Sequence, residues 1–331
     1  MSALFSTRRS ASKNENVRPA LRVVPRPAVT TTGTVTTADG FALAVTTFGD
    51  AKQACAAVLI APAMGVEQHY YAPFAEALAA AGFYVVTFDY RGMGHSRPAQ
   101  FRRSLRGLEA DVSTWATRDA AAIVEFAAAC VGERPLLWIG HSLGGQILGL
   151  VPNHDRVLAM LTVAAGSGYW PQNSKPLRYF VPALWFAIAP VAVALCGYFP
   201  GRLLRMVGDL PAGVMRQWRR WCLSREYAVG AEGDEVRAAY AGVSVPILSL
   251  SFTDDALMSR ASIEALHALY TGARREMQRI APRDFGLTQI GHFGFFRKRF
   301  ADLLWPLALR WLNEQVAIHG RKQAQRTRPD V

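Results

Sequence analysis

Cysteine is scarce in this 331-residue sequence and shows no pattern: Cys55, Cys130, Cys196 and Cys222 are scattered, with no CxxC spacing. That excludes a disulfide framework and the usual cysteine-based zinc sites, and it points to a reduced, cytoplasmic compartment. No apolar run follows the N-terminus, so a secretory signal is not expected, and the Arg- and Ser-rich start resembles a transit peptide in composition only. There is no internal repeat, no heptad pattern, no metal-ligand spacing and no phosphate-binding glycine loop. Solenoids, coiled coils and P-loop chemistry drop out, and neither a metal nor an organic cofactor is expected. Acidic residues are also under-represented, 25 against 37 Lys and Arg, for a formal charge of +12. The excess is local. Residues 1–30 carry Arg8, Arg9, Lys13, Arg18, Arg22 and Arg26 against Glu15, and the segment from His319 carries Arg321, Lys322, Arg326 and Arg328 against Asp330. These stretches, 1–30 and 319–331, read as solvated basic ends without a fold, not as a nucleic-acid surface.

What the chain has in quantity is apolar sequence, 51% of residues, enough for one large core. "VTTTGTVTTADGFALAVTTFGD" reads as two β-rich runs joined at Asp39-Gly40, a strong hairpin signal. "AAVLIAPAMG" is a buried-type strand, "YYAPFAEALAAAGF" has helical spacing, and "YVVTFDYRGMG" is a strand running into a glycine loop. A helix over about 112–130 follows, then the strand "RPLLWIG", a helix after Ser142 and the strand "RVLAMLTVAAG". Later come the strand "VPILSLSF" and helices over 259–270 and 297–316. Alternating elements of this kind imply an α/β fold with a mostly parallel, doubly wound sheet. The alternation fails between Gly166 and Val243. The organisation expected is a core in two parts, 31–166 and 244–318, interrupted by an insertion over 167–243.

The stretch "WIGHSLGGQILGL" places Ser142 between Gly140 and Gly144, where a strand turns into a helix. Such a turn strains the serine backbone, and side chains two residues to either side would collide with neighbouring backbone; glycines remove the collision and leave the hydroxyl exposed. A serine nucleophile needs a histidine to take its proton and a carboxylate to orient that histidine. His292, between Gly291 and Gly294, is the base candidate, with His95 as the weaker alternative. Asp254 and Asp255 both follow a strand, and position alone does not choose between them. "DYRGMGHS" (89–96) reads as structural, with Asp89 and Arg91 tying loops together.

With "DYRGMGHS", "GHSLGG" (140–145), "VPILSLSFTDD" (245–255) and "GHFGFF" (291–296), residues 35–316 resemble the α/β-hydrolase superfamily. The branch they are most similar to is that of serine-aminopeptidase-like and monoacylglycerol-lipase-like hydrolases, which insert a mainly helical cap into the sheet core. The resemblance implies Asp255 as the acid of the triad and the backbone N–H groups of Met64 and Leu143 as the oxyanion hole. It also implies a departure: relatives usually carry His-Gly where this chain has Pro62-Ala63. The "HGGPG" of proline iminopeptidases is absent, which counts against a peptidase.

The insertion is rich in aromatics, and an apolar roof over the serine suits an apolar substituent. Tyr169, Trp170, Trp185 and Phe186 are the candidate pocket residues. "MRQWRRWC" reads as packed Trp218 and Trp221 backed by a solvated arginine face. Residues 179–201 carry no charge and reach the ~20 residues that span a bilayer. Pro182, Pro190 and Pro200 interrupt them, however, and their place in the chain favours a lid over an anchor. The function expected is a serine hydrolase of carboxylic esters with an apolar acyl or alkyl part, working through an acyl-enzyme on Ser142. The alternatives are an acyltransferase using the same acyl-enzyme, or a non-catalytic, membrane-associated scaffold. The partner expected is a small hydrophobic ester, with peripheral membrane contact through the cap as a second; oligomeric state is not legible.

Overall fold

The computed structural model describes residues 29–326; the basic N-terminal stretch to residue 28 and the last five residues lie outside them. β1 (Thr30–Thr36) and β2 (Ala42–Phe48) form the hairpin expected at Asp39-Gly40, with Gly40 at φ 82°. β3 (Ala57–Ala61), α1 (Ala72–Ala80), β4 (Tyr84–Phe88), a helix α2 over 112–131, β5 (Leu136–His141), α3 (Leu143–Gln146) and β6 (Val157–Val163) follow. The insertion then contributes α4 (Leu177–Cys196), the small hairpin β7 (Tyr198–Phe199) and β8 (Leu210–Pro211), α5 (Ala212–Leu223), α6 (Tyr227–Glu232) and α7 (Asp234–Gly242). β9 (Ile247–Phe252), α8 (Arg260–His267), β10 (Arg275–Ile280), a single turn α9 (Gly291–Gly294) and α10 (Ala301–Arg326) complete the core.

The sheet has eight strands in the order β1-β2-β4-β3-β5-β6-β9-β10. β2 pairs antiparallel with β1 and β4, and every later pairing is parallel. Parallel strands need cover on both faces, and β3, β4, β5 and β9 are buried at every residue. Their side chains alternate between two cores. Leu59 and Trp138 join α2 and the cap on one face, while Val58, Ile60, Leu137 and Ile139 join α1 and α10 on the other.

Three expectations change. The helix after Ser142 is only one turn, because Gly144, Gly145 and Gly149 are poor helix formers and the Gln146 carbonyl is taken by the Tyr240 and Tyr270 hydroxyls at 2.6 and 3.0 Å. The closing helix continues through Arg326, so residues 319–326 are helical rather than unfolded; its alanine, glutamine and basic side chains are good helix formers. Finally, α4 runs through Pro182 and Pro190. Proline at 190 has no N–H to give, and the chain responds with a π-helical stretch over Leu184–Ile188. The Trp185 carbonyl accepts a hydrogen bond from Arg219 Nε of α5.

Candidate active site

β5 ends in a turn whose geometry is unusual: Ser142 has φ 49° and ψ −111°, a strained conformation for a residue with a Cβ. The flanking glycines are explained by contact. A Cβ on Gly140 would lie 2.4 Å from the Gly144 carbonyl, and one on Gly144 would lie 2.1 Å from the carbonyl oxygen of Ala61. The turn is therefore pressed against the end of β3, and Ser142 N–H is fixed by Val163 O of β6 at 3.0 Å.

His292 sits on α9, buried at 7% exposure, with Nδ1 2.8 Å from Asp255 Oδ2. The other Asp255 oxygen accepts from Leu257 N–H at 2.7 Å and Met258 N–H at 2.9 Å, so the carboxylate is held by its own loop. Asp254 does something else. Its Oδ2 accepts from the N–H groups of Ile290 and Gly291 at 2.8 and 3.0 Å, anchoring the segment that leads into His292. The two aspartates that sequence position left open are separated by contact: one holds the imidazole, the other its loop. His95, the alternative base, is 80% exposed at its side chain and lies on a glycine loop built around buried Asp89. Asp89 and Arg91 tie loops together as expected; Arg91 pairs with Asp119 at 2.6 Å and Asp39 at 2.7 Å.

Among the described residues, neither Met64 N–H nor Leu143 N–H donates to a protein acceptor, although the two residues are only 7% and 1% exposed. Buried N–H groups without partners are rare and call for an explanation. Ser142 Oγ likewise makes no hydrogen bond among the described residues.

A relay behind these groups escaped the sequence reading. Tyr71, fully buried at the end of the turn preceding α1, accepts from Ala63 N–H at 2.9 Å. Its hydroxyl is also 2.9 Å from His141 Nδ1, and His141 Nε2 is 3.0 Å from the carbonyl oxygen of His292. One proton arrangement satisfies all three contacts: Tyr71 donates to Nδ1, and Nε2–H donates to His292 O. Burial supports it by pushing the Tyr71 hydroxyl well up and the His141 imidazole well down, so both stay neutral. The apolar surroundings that make His141 a fixed linker depend on tertiary packing and leave no local sequence signal.

The pocket candidates divide. Trp185 is buried and meets the Trp218 ring edge-on at 5.0 Å, and Tyr169 and Trp170 are half-buried. Phe186 is 60% exposed, with the Arg219 guanidinium over its ring at 5.8 Å, which removes it from an enclosed pocket. The cause is helical phase: α4 buries only Val181, Trp185, Ala189 and Val193, every fourth residue. Arg219, expected on a solvated face, is instead engaged with α4.

Residues 52–196 match the family described as serine aminopeptidase, S33. Among curated proteins there is no match. Among solved structures, the chain is similar to a soluble variant of monoglyceride lipase from Saccharomyces cerevisiae, at 15% identity and a TM-score of 0.63, over 88% of this chain and 96% of that one. It is also similar to a thermostable carboxyl esterase from Bacillus coagulans, at 14% identity and a TM-score of 0.59, over 87% of this chain and 99% of that one. At such identities the likeness is one of fold.

Proposed function

We propose that this chain, a member of the α/β-hydrolase superfamily, is a serine hydrolase of carboxylic esters. The observation that carries the reading is the contact between His292 Nδ1 and Asp255 at 2.8 Å, in a loop that also meets the strained Ser142 turn through His141. In the reaction, His292 Nε2 accepts the Ser142 proton as Oγ attacks the acyl carbon. Asp255 holds the imidazole in the tautomer that leaves Nε2 free and stabilises the imidazolium. The negative charge developing on the carbonyl oxygen is taken by the Met64 and Leu143 N–H groups, which otherwise lack acceptors; one such donor is worth ~2.7–4 kcal/mol. His292 then protonates the leaving alcohol, and the acyl-enzyme is released by water that His292 activates. Because these donors are backbone groups, Pro62-Ala63 in place of His-Gly leaves the chemistry intact.

Buried Trp185 and half-buried Tyr169 and Trp170 support an apolar acyl or alkyl part, and the exposed apolar surface of the cap supports peripheral membrane contact. The four cysteines, all unpaired, support a cytoplasmic location. A second reading, acyl transfer from the same acyl-enzyme, is favoured by the low exposure of Ser142 and His292, 8% and 7%, since a dry site spares the intermediate from water.

Labelling of the purified protein with a fluorophosphonate probe, beside Ser142→Ala, tests the proposal. Labelling that disappears in the variant supports an activated serine. A folded wild type that stays unlabelled and cleaves no ester sinks it in favour of a non-catalytic scaffold. Product ratios with added alcohols or amines then separate hydrolysis from transfer.

A further inference from the structure

Helix α4 is apolar on every side yet mostly uncovered. Leu177–Cys196 is long and apolar enough to cross a membrane by length and composition, and 22% of its most apolar window is buried. The stripe Val181, Trp185, Ala189 and Val193 packs inward, while Phe180, Phe186, Val191 and Leu195 are 70%, 60%, 56% and 72% exposed. The turn between β7 and β8, which follows α4 in the chain, adds Leu203 at 80% and Met206 at 48% exposure. A monomer in water keeps contiguous apolar patches small, so a face of this kind calls for a covering partner.

Charge selects the partner. From Ser174 to Gly208 the sequence contains Lys175, Arg178, Arg202 and Arg205 and no acidic residue. Lys175 and Arg178 stand at the start of α4. Arg106 reaches its end, donating to Leu195 O at 2.6 Å, and Arg205 lies in the following turn. Glu67 engages Arg202, but Lys175, Arg178, Arg106 and Arg205 make no ion pair among the described residues. An apolar middle with cations at both ends matches a helix lying in the plane of an anionic lipid interface. A crossing orientation is excluded by the fastenings: Ser174 Oγ donates to Asp255 O at 2.8 Å at one end, and Arg106 holds Leu195 at the other.

We infer that the outer face of α4, with the Leu203–Met206 turn, is a docking surface that seats the protein on an anionic bilayer. The two ends of the segment that carries this face adjoin the candidate active site. Ser174 is bonded to the triad aspartate, and Gly208 approaches the loop carrying Met64 so closely that a Cβ on Gly65 would lie 2.6 Å from Gly208 N. Docking therefore puts the site beside the lipid, where an apolar ester partitions. This last step rests on the hydrolase reading; the docking itself does not.

The test is sedimentation of the full chain with phosphatidylcholine vesicles, with and without 30 mol% phosphatidylglycerol (roughly the anionic load at which basic surfaces bind), beside the triple variant Phe180→Glu/Val191→Glu/Leu195→Glu. Fluorophosphonate labelling in solution and the unfolding transition report whether the variant keeps its site and fold. The expected result is binding that strengthens with phosphatidylglycerol and falls about 100-fold or more in the variant. Arg205→Glu, which touches no catalytic group, should lower only the anionic preference. Absent wild-type binding overturns the inference, and so does variant binding that persists and is removed by salt, which assigns it to the basic ends. A wild-type dimer that the variant abolishes, without vesicle binding, makes the face a self-interface and also overturns it. Binding with neither labelling nor ester cleavage would leave docking standing and sink the hydrolase; labelling without binding does the reverse.

Discussion

Replacing Tyr71 by Phe removes one oxygen and two hydrogen bonds, both 2.9 Å long and both between groups hidden from water. Ala63 N–H loses its acceptor and His141 Nδ1 its donor, in residues 3% and 0% exposed. A buried polar group left without a partner costs ~1–3 kcal/mol, so the two together predict a loss of roughly 2–6 kcal/mol in unfolding free energy. The volume change is a single atom, so cavity terms add little. Activity should fall as well, because Ala63 precedes the proposed oxyanion donor Met64 and His141 holds the His292 carbonyl. Drift of either group forfeits part of the oxyanion contribution, and we expect kcat down about tenfold or more with KM little changed. Urea denaturation followed by fluorescence gives the first number, with an unchanged m value showing that the unfolded reference is the same. Initial rates on a short p-nitrophenyl ester give the second. Unfolding free energy within ~0.5 kcal/mol of wild type, together with an unaltered kcat, would refute the relay.

The two adjacent aspartates should respond differently. Asp255→Asn leaves His292 in the wrong tautomer and should lower kcat by roughly 10⁴-fold, whereas Asp254→Asn, which keeps an acceptor for Ile290 and Gly291, should stay within about tenfold and show mainly as a lower Tm. Equal losses in the two variants would count against this division. Acid should destabilise the fold over a defined window. Burial pushes His267 from 6.5 down to about 4, and the neutral ring is held by Thr162 at 2.9 Å and Ile263 O at 2.8 Å. Between these values the unfolded chain binds the extra proton, so stability is complete above pH 6.5 and falls as pH drops toward 4, by roughly 3 kcal/mol for this residue. Burial shifts His141 in the same direction and adds to the effect. Urea midpoints measured from pH 7.5 to 4.5 check the slope; His267→Gln should flatten it, and an unchanged slope would assign acid sensitivity elsewhere.

Much of this architecture could be read from local pattern, because the rules involved are short-range. Apolar runs of strand length, bounded by glycine and proline, located β3, β4, β5, β6 and β9, and Asp39-Gly40 located the first hairpin. The serine turn was legible for the same reason: glycines at 140 and 144 answer to collisions with atoms a few residues away or one strand over. The side chains now found around it divide by range. Asp255 and His292 stand at strand and loop ends, where position carries information, while Asp254 and Tyr71 acquire their roles from partners 36 and 70 residues distant. The cap was least legible. Its aromatic content suggested a roof over the serine, but which side of α4 faces inward depends on phase, and residues apolar on all sides carry no phase. Phe186 was placed inside for want of that signal. The course of α10 past residue 319 was hidden by composition, since a basic, solvated helix and a basic, solvated coil have the same residues.

β6 and β9 are neighbours in the sheet, paired from Met160–Ile247 to Val163–Leu250. Their pairing is parallel, so the interval from 167 to 243 leaves at the carboxyl end of β6, beside Ser142, and rejoins at the amino end of β9 on the opposite edge of the sheet. α7, the last element before β9, completes the crossover that a parallel pair requires; the part of the excursion ahead of it can change length and contents without moving any strand, since closure entropy grows only slowly with loop length. Substitution, lengthening or exchange of that segment should alter what reaches Ser142 far more readily than it alters the sheet. In an enzyme line diversifying by insertion and deletion, chemistry and substrate choice would then be inherited separately.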